Sequence, residues 1–127
     1  MLQLREREAA DYATNNMPPS FPHGLDCESF TIQALTEAAS TTKDPHDREH
    51  VSPWLRRTEH LKRVNLSSGN PALAAHRWTL DYPEDLQFFR AVVPLLPKHR
   101  AARTQEILTV LNANPEISRI NAHRRMV

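Results

Sequence analysis

The chain has 127 residues and 14.6 kDa, with 16 Lys and Arg against 15 Asp and Glu for a net charge of +1. That length holds one domain at most, and a balanced chain carries no general field to gather polyanions, so a nucleic-acid partner is not expected. Hydrophobic residues make up 39% with a mean hydropathy of −0.60, a globular composition in which no apolar run nears the roughly 20 residues a bilayer span needs.

In chain order, residues 2–10 (LQLREREAA) predict a short helix, and ADYAT at 10–14 a short strand. NNMPPSFPHG at 15–24 holds three prolines and a glycine and reads as a loop. LDCESFT at 25–31 alternates, so Asp26 and Glu28 share one face of the expected strand. Ile32, Leu35 and Ala39 mark a helix over 32–40, and TTKDPHD follows as a polar loop. REHVSPWLRR at 48–57 reads as helix broken at Pro53, with Ser52 capping the new turn. LKRVNL at 61–66 is strand-like, SSGNP is a turn, and HRWTLD at 76–81 reads as a strand entering a helix that Pro83 starts. Glu84 and Asp85 suit the positive end of that helix, while Leu86, Phe89, Val92 and Val93 form its expected inward stripe. A second amphipathic helix covers 103–115, with Ile107, Leu108 and Leu111 inward, and the tail HRRMV at 123–127 is expected to fray. Strands alternating with helices give an α/β fold class.

Several residues stand out chemically. Asp81, at a strand end just before a proline-started helix, is well placed for bound magnesium. Its bland role would be a helix cap, but Pro83 in the first helical position makes Tyr82 the cap residue. Asp26 and Glu28 would repel unless a cation or an arginine lies between them, or would simply face water on an edge. His46 and His50, four apart in HDREH, have zinc-compatible spacing, yet a solvated, salt-bridged face is the usual outcome for such a run. Arg77 could clamp a phosphate or a carboxylate, or pair with Asp81 or Glu28. Cys27 is expected to be a small buried residue, and a single cysteine fits a reducing, cytoplasmic compartment. No export signal is visible in MLQLREREAADY, where charges occupy the place of an apolar stretch. Only two glycines occur, against about nine at average usage. Neither sits in a glycine-rich phosphate loop.

Three segments in order, ADYATN with PHGLDCESF at 10–30, DPHDREHVSPWL at 44–55 and HRWTLDYPEDLQFFRAV at 76–92, resemble the C-terminal half of cytidylyltransferases acting on acidic or modified sugars. The branch most resembled is spore coat polysaccharide biosynthesis protein F, related to CMP-Kdo synthetase and acylneuraminate cytidylyltransferase. The resemblance spans about residues 8–93, with NANPEISRIN as a weaker tail. It implies the C-terminal half of a three-layer, Rossmann-like nucleotide-diphospho-sugar transferase fold with an incomplete sheet. By resemblance, Asp81 falls on the magnesium-binding aspartate of the family's D-T-P-E-D-L motif, with Tyr82 where the family has Thr. Asp26 and Glu28 fall on G-L-D-x-E at the sugar side of the cleft. Arg48, Glu49 and His50 match R-E-H-V, near the substrate or the subunit contact. Arg77 toward a sugar carboxylate or a phosphate is our own assignment.

The resemblance implies transfer of CMP from CTP to a sugar for surface polysaccharide biosynthesis, with Mg2+ as cofactor, and a homodimer. The family's nucleotide-binding N-terminal half has no counterpart here, so CTP and sugar are expected to engage only with a complementary half, and no residue is assigned to catalysis. Residues 1–97 are expected to form the cytidylyltransferase-like part and 98–127 a helical C-terminal extension. The alternative is a non-catalytic binding or oligomerisation module derived from the same fold.

Overall fold

The computed structural model describes residues 1–125. The order of elements is α1 (Leu2–Arg7), β1 (Tyr12–Thr14), β2 (Glu28–Phe30), α2 (Ile32–Thr41), α3 (Pro45–His50), α4 (Pro53–Arg57), β3 (Arg63–Asn65), a 3₁₀ turn (Pro71–Ala75), α5 (Pro83–Val92), a 3₁₀ turn (Val93–Leu95), α6 (Thr104–Ala113), α7 (Pro115–Arg119) and a last 3₁₀ turn (Ala122–Arg124). The fold is mixed α/β, as the alternating pattern implies. It divides into two compact units, residues 1–21 with 26–71, and residues 22–25 with the chain from Ala72 onward.

The first unit is built on a three-stranded sheet of order β2-β1-β3, with β1 antiparallel to β2 and parallel to β3. Central β1 is buried along its whole length. Tyr12 anchors a core of Ala34, Ala38, Trp54, Leu55 and Leu61, with Phe30 stacked on its ring at 6.5 Å between centroids. α2 forms where expected, its end closed by Thr31, whose hydroxyl accepts the Ala34 N–H.

α3 begins inside the segment expected to be loop. Asp44 accepts the His46 N–H at 2.9 Å, and Pro45 takes the first helical position, as prolines also do in α4, α5 and α7. Ser52 does occupy the cap position of α4, but its side chain makes no capping bond. Between the two helices Val51 has φ 67° and ψ −53°, and the Ser52 N–H reaches the His50 carbonyl at 2.8 Å. That is a γ-turn of the rare positive-φ kind, strained for a β-branched residue.

The second unit has a helical core, Phe88, Val92, Leu111 and Ile117, with Trp78, Phe89, Ile107 and Ile120 packed around it. The strand expected at 76–81 is reduced to one parallel bridge between Arg77 and His23. It does not lengthen past Gly24, because the chain turns there at φ 111° and the Leu25 N–H bonds back to the Pro22 carbonyl at 3.1 Å. The inward stripe of α5 is Asp85, Phe88, Phe89 and Val92, not the expected one: Leu86 and Val93 are exposed. Burial of Asp85 at the helix start sets this phase, and a count of apolar residues alone misses it.

Candidate functional site

Two polar clusters hold most of the residues singled out in the sequence, one in each unit. In the second, the bend before α5 is organised by a carboxylate the sequence reading gave only a dipole role. Asp85 is completely buried, and its two oxygens accept five donors. Arg77 gives Nε and an Nη, both at 2.8 Å. Asn121 gives its side-chain amide at 2.8 Å. The backbone N–H groups of Asp81 and Tyr82 complete the set at 3.0 Å each. The Arg77 guanidinium, foremost among these donors, holds the Asp85 carboxyl well below the usual carboxylate range.

Arg77 is itself buried, and its guanidinium is divided between Asp85 and Asp81, whose Oδ2 it meets at 2.9 Å. These hydrogen bonds raise its pKa further above the ordinary arginine value. The side chain of Asp81 is 64% exposed and, among the described residues, bonds to Arg77 alone. Asp81 therefore stands in a bend beside the helix start rather than at a strand end. Tyr82 takes the cap position, as Pro83 requires. Its ring lies under two guanidinium groups, Arg77 at 5.4 Å and Arg124 at 4.4 Å from the ring centre.

The tail expected to fray is tied to this bend as far as Arg125; Met126 and Val127 lie outside the described residues. Arg124 pairs with Glu84 at 3.0 Å, its carbonyl accepts an Nη of Arg77, and Arg125 donates to the Ala74 carbonyl. Among the described residues, no group of three His, Cys, Asp or Glu side chains could hold a metal ion. Magnesium held chiefly by phosphates needs only one or two protein carboxylates, and Asp81, exposed and bound to one partner, fits as one such ligand.

The cluster of the first unit contains Asp26 and Glu28. Only Glu28 lies on β2; Asp26 precedes the strand, so the two do not share a strand face. Asn16 and Arg56 join them instead. Asp26 accepts the Asn16 side-chain amide at 2.9 Å, and Glu28 accepts the Tyr12 hydroxyl at 2.5 Å. One nitrogen of Arg56 donates to Tyr12 Oη, Asn16 Oδ1 and Glu28 Oε1 at 3.0, 2.8 and 3.2 Å. Both acidic residues are exposed, as the edge alternative expected; Arg56 pairs with Glu28 while Asp26 bonds to Asn16, and no spacing rule links residue 56 to residue 28. Burial, followed by the bond to Glu28, pushes the Tyr12 phenol up to about 12.

Arg48, Glu49 and His50 lie on α3 and are exposed, away from both clusters in their bonding. Arg48 donates to the Ala39 carbonyl at 3.0 Å. Together with Leu35, Ala38, Thr42, Asp47 and Val51 it lines a hollow of about 160 Å³. The residue of this motif that the fold buries is Asp47. It receives both Nη atoms of Arg57 at 2.6 and 2.5 Å and the Thr42 hydroxyl at 2.5 Å. Arg57 first, then Thr42, lowers its pKa to about 2. Cys27 is exposed, contrary to expectation; its N–H is bonded to Asn15 just before β2 begins.

No protein-family model matches the chain. It is 30% identical over 107 residues to the uncharacterized protein MJ1063 of Methanocaldococcus jannaschii, a match covering 80% of this chain and 42% of that protein. Its structure is similar to that of a cytidylyltransferase from Leptospira borgpetersenii serovar Hardjo-bovis, with a TM-score of 0.81 and 24% identity, over 92% of this chain and 49% of the other. The chain thus has the fold of part of a cytidylyltransferase and spans about half the length of the proteins it matches or less. No helix among the described residues is long and apolar enough to cross a membrane.

Proposed function

We propose that this chain is the sugar-binding and metal-binding half of a nucleotidyltransferase that moves CMP from CTP to an acidic or modified sugar for surface polysaccharide biosynthesis. The observation that carries this reading is the structural likeness to a cytidylyltransferase over nearly the whole chain. The subfamily is that of spore coat polysaccharide biosynthesis protein F, on the motifs around Asp26, Arg48 and Asp81.

In this reading Asp26 and Glu28, braced by Asn16 and Arg56, accept hydrogen bonds from sugar hydroxyls. Asp81 holds Mg2+, which when bound neutralises charge building on the phosphates as pyrophosphate leaves. Arg77 acts as a positioning residue: Asp85 fixes its guanidinium, and its remaining contact aims the Asp81 carboxylate. The chain is inactive alone, its nucleotide cradle comes from a complementary half, and the assembled enzyme is a homodimer.

The test mixes the purified chain with the N-terminal half of a related cytidylyltransferase and follows CTP-dependent pyrophosphate release. Turnover that Asp81→Ala abolishes supports the reading. A stable assembly without turnover favours the non-catalytic module, and turnover by the chain alone refutes its proposed dependence on a second half.

A further inference from the structure

The geometry points to a surface site for a borderline divalent transition ion (Zn2+, Ni2+ or Cu2+) chelated by His46 and His50 on α3. The two are one helical turn apart, so their side chains leave the same face. Their rings already lie together, with centroids 4.5 Å apart and planes inclined by 56°. Two imidazoles bound to one zinc at about 2.0–2.1 Å per nitrogen must come about this close. Both histidines are exposed, so an ion can reach them from solvent.

Charges of both signs surround the pair, so the two imidazoles themselves carry the site. Asp44 caps the helix at the His46 N–H, and Glu49 is exposed next to His50 in the chain. Arg57 neutralises Asp47, and Arg48 is held on the Ala39 carbonyl. No third side chain of the described residues completes the set, so the ion keeps positions open to water or to an outside ligand. Such a site ranks ions by intrinsic affinity, copper above nickel. His50 also lies in the R-E-H-V motif of the nucleotidyltransferase reading, but ion binding by the chain alone is read without CTP, sugar or a second half, so the two can fail separately.

The test titrates the purified chain with Cu2+ and with Ni2+ in a non-coordinating buffer by calorimetry. One equivalent should bind, copper more tightly. His46→Ala and His50→Ala should each weaken it by about tenfold or more, as expected when a chelate is reduced to one ligand. His99→Ala should leave it unchanged, and circular dichroism should show all three variants folded. Absence of binding overturns the site. So does binding that survives either substitution at 46 or 50, which would place the ion elsewhere, for example on the terminal amine.

Discussion

Replacing Asp85 with asparagine keeps the shape of the side chain and removes its charge. Five donors converge on the two carboxylate oxygens, and none of the carboxylate is exposed. Asparagine offers one acceptor and turns an NH2 toward donors already aimed at the other position. At least two of the five bonds are lost, and Arg77, with only 6% of its side chain exposed, is left with the solvent-facing Asp81 as its one carboxylate partner among the described residues. Removing one member of a buried ion pair costs about 3–5 kcal/mol, because the remaining charge is stranded. We expect about 4 kcal/mol, a large part of the roughly 5–15 kcal/mol that holds a typical domain folded. Urea unfolding followed by circular dichroism gives the value from the midpoint at constant slope. Asp81→Asn is the control: it removes one exposed contact while Arg77 keeps Asp85, so it should cost no more than about 1 kcal/mol. A cost below about 1 kcal/mol for Asp85→Asn, or equal costs for both variants, would refute the reasoning.

Other variants probe separate features. Asp47 is held at about 2 in the fold against an ordinary value near 4, so its stabilisation is present above about pH 4 and drains as the pH falls toward 2. Asp47→Asn should therefore flatten the acid-unfolding profile in that window, and an unchanged slope would contradict the pairing with Arg57. Tyr12 titrates at about 12, and absorbance titration should lose its latest-titrating phenol in Tyr12→Phe. Gly24→Ala would place a Cβ 2.4 Å from the Trp78 carbonyl oxygen at φ 111°, whereas Gly69 at φ 77° has open space around it. The first should cost clearly more than about 1 kcal/mol and the second about that much, both read from urea midpoints. Leu111→Ala should cost about 2–5 kcal/mol by the same measurement, since it hollows the core of the second unit.

What the sequence disclosed and what it withheld follow from the range of the interactions. The helices at 32–41, 83–92 and 104–113 rest on caps, prolines and periodicity within a few residues, and each lies close to its expected place. Asp44-Pro45 carried the same local signal as Pro83 and was legible in principle. The phase of α5 was not, because it depends on Asp85 meeting Arg77 and on Asn121, 36 residues further on. Arg56, Asn16 and Tyr12 come together with Glu28 only through β1 pairing beside β2 and the placement of α4, links with no periodicity of their own. Nor does any pattern announce the strained turn at Val51, since nothing in a valine suggests positive φ. The motif resemblance pointed to Asp26, Glu28 and Asp81, but the partners that orient them had to come from the fold.

The two aspartates of the 81–85 segment differ in how far their oxygens are saturated. Asp85 has no unused capacity: its oxygens are filled by buried donors, and an exchange would strand Arg77. Asp81 is the reverse case. Its bond to Arg77 can break without leaving a buried charge unpaired, because Arg77 retains both bonds to Asp85. A carboxylate that can change partners at small cost is what the proposed Mg2+ role of Asp81 requires, and Arg77 keeps it aimed in the meantime. The same logic explains why the tail matters: Asn121 and the Arg124 carbonyl hold Arg77 and Asp85 in register, so loosening residues 121–124 should disturb Asp81 through the pair beneath it. Asn121→Ala, which touches neither Asp81 nor solvent, should therefore lower stability by about 1–3 kcal/mol through the donor lost to Asp85. In the complemented assay it should also reduce metal-dependent turnover at limiting magnesium more than at saturation. Equal loss at both concentrations would confine Asn121 to a structural role.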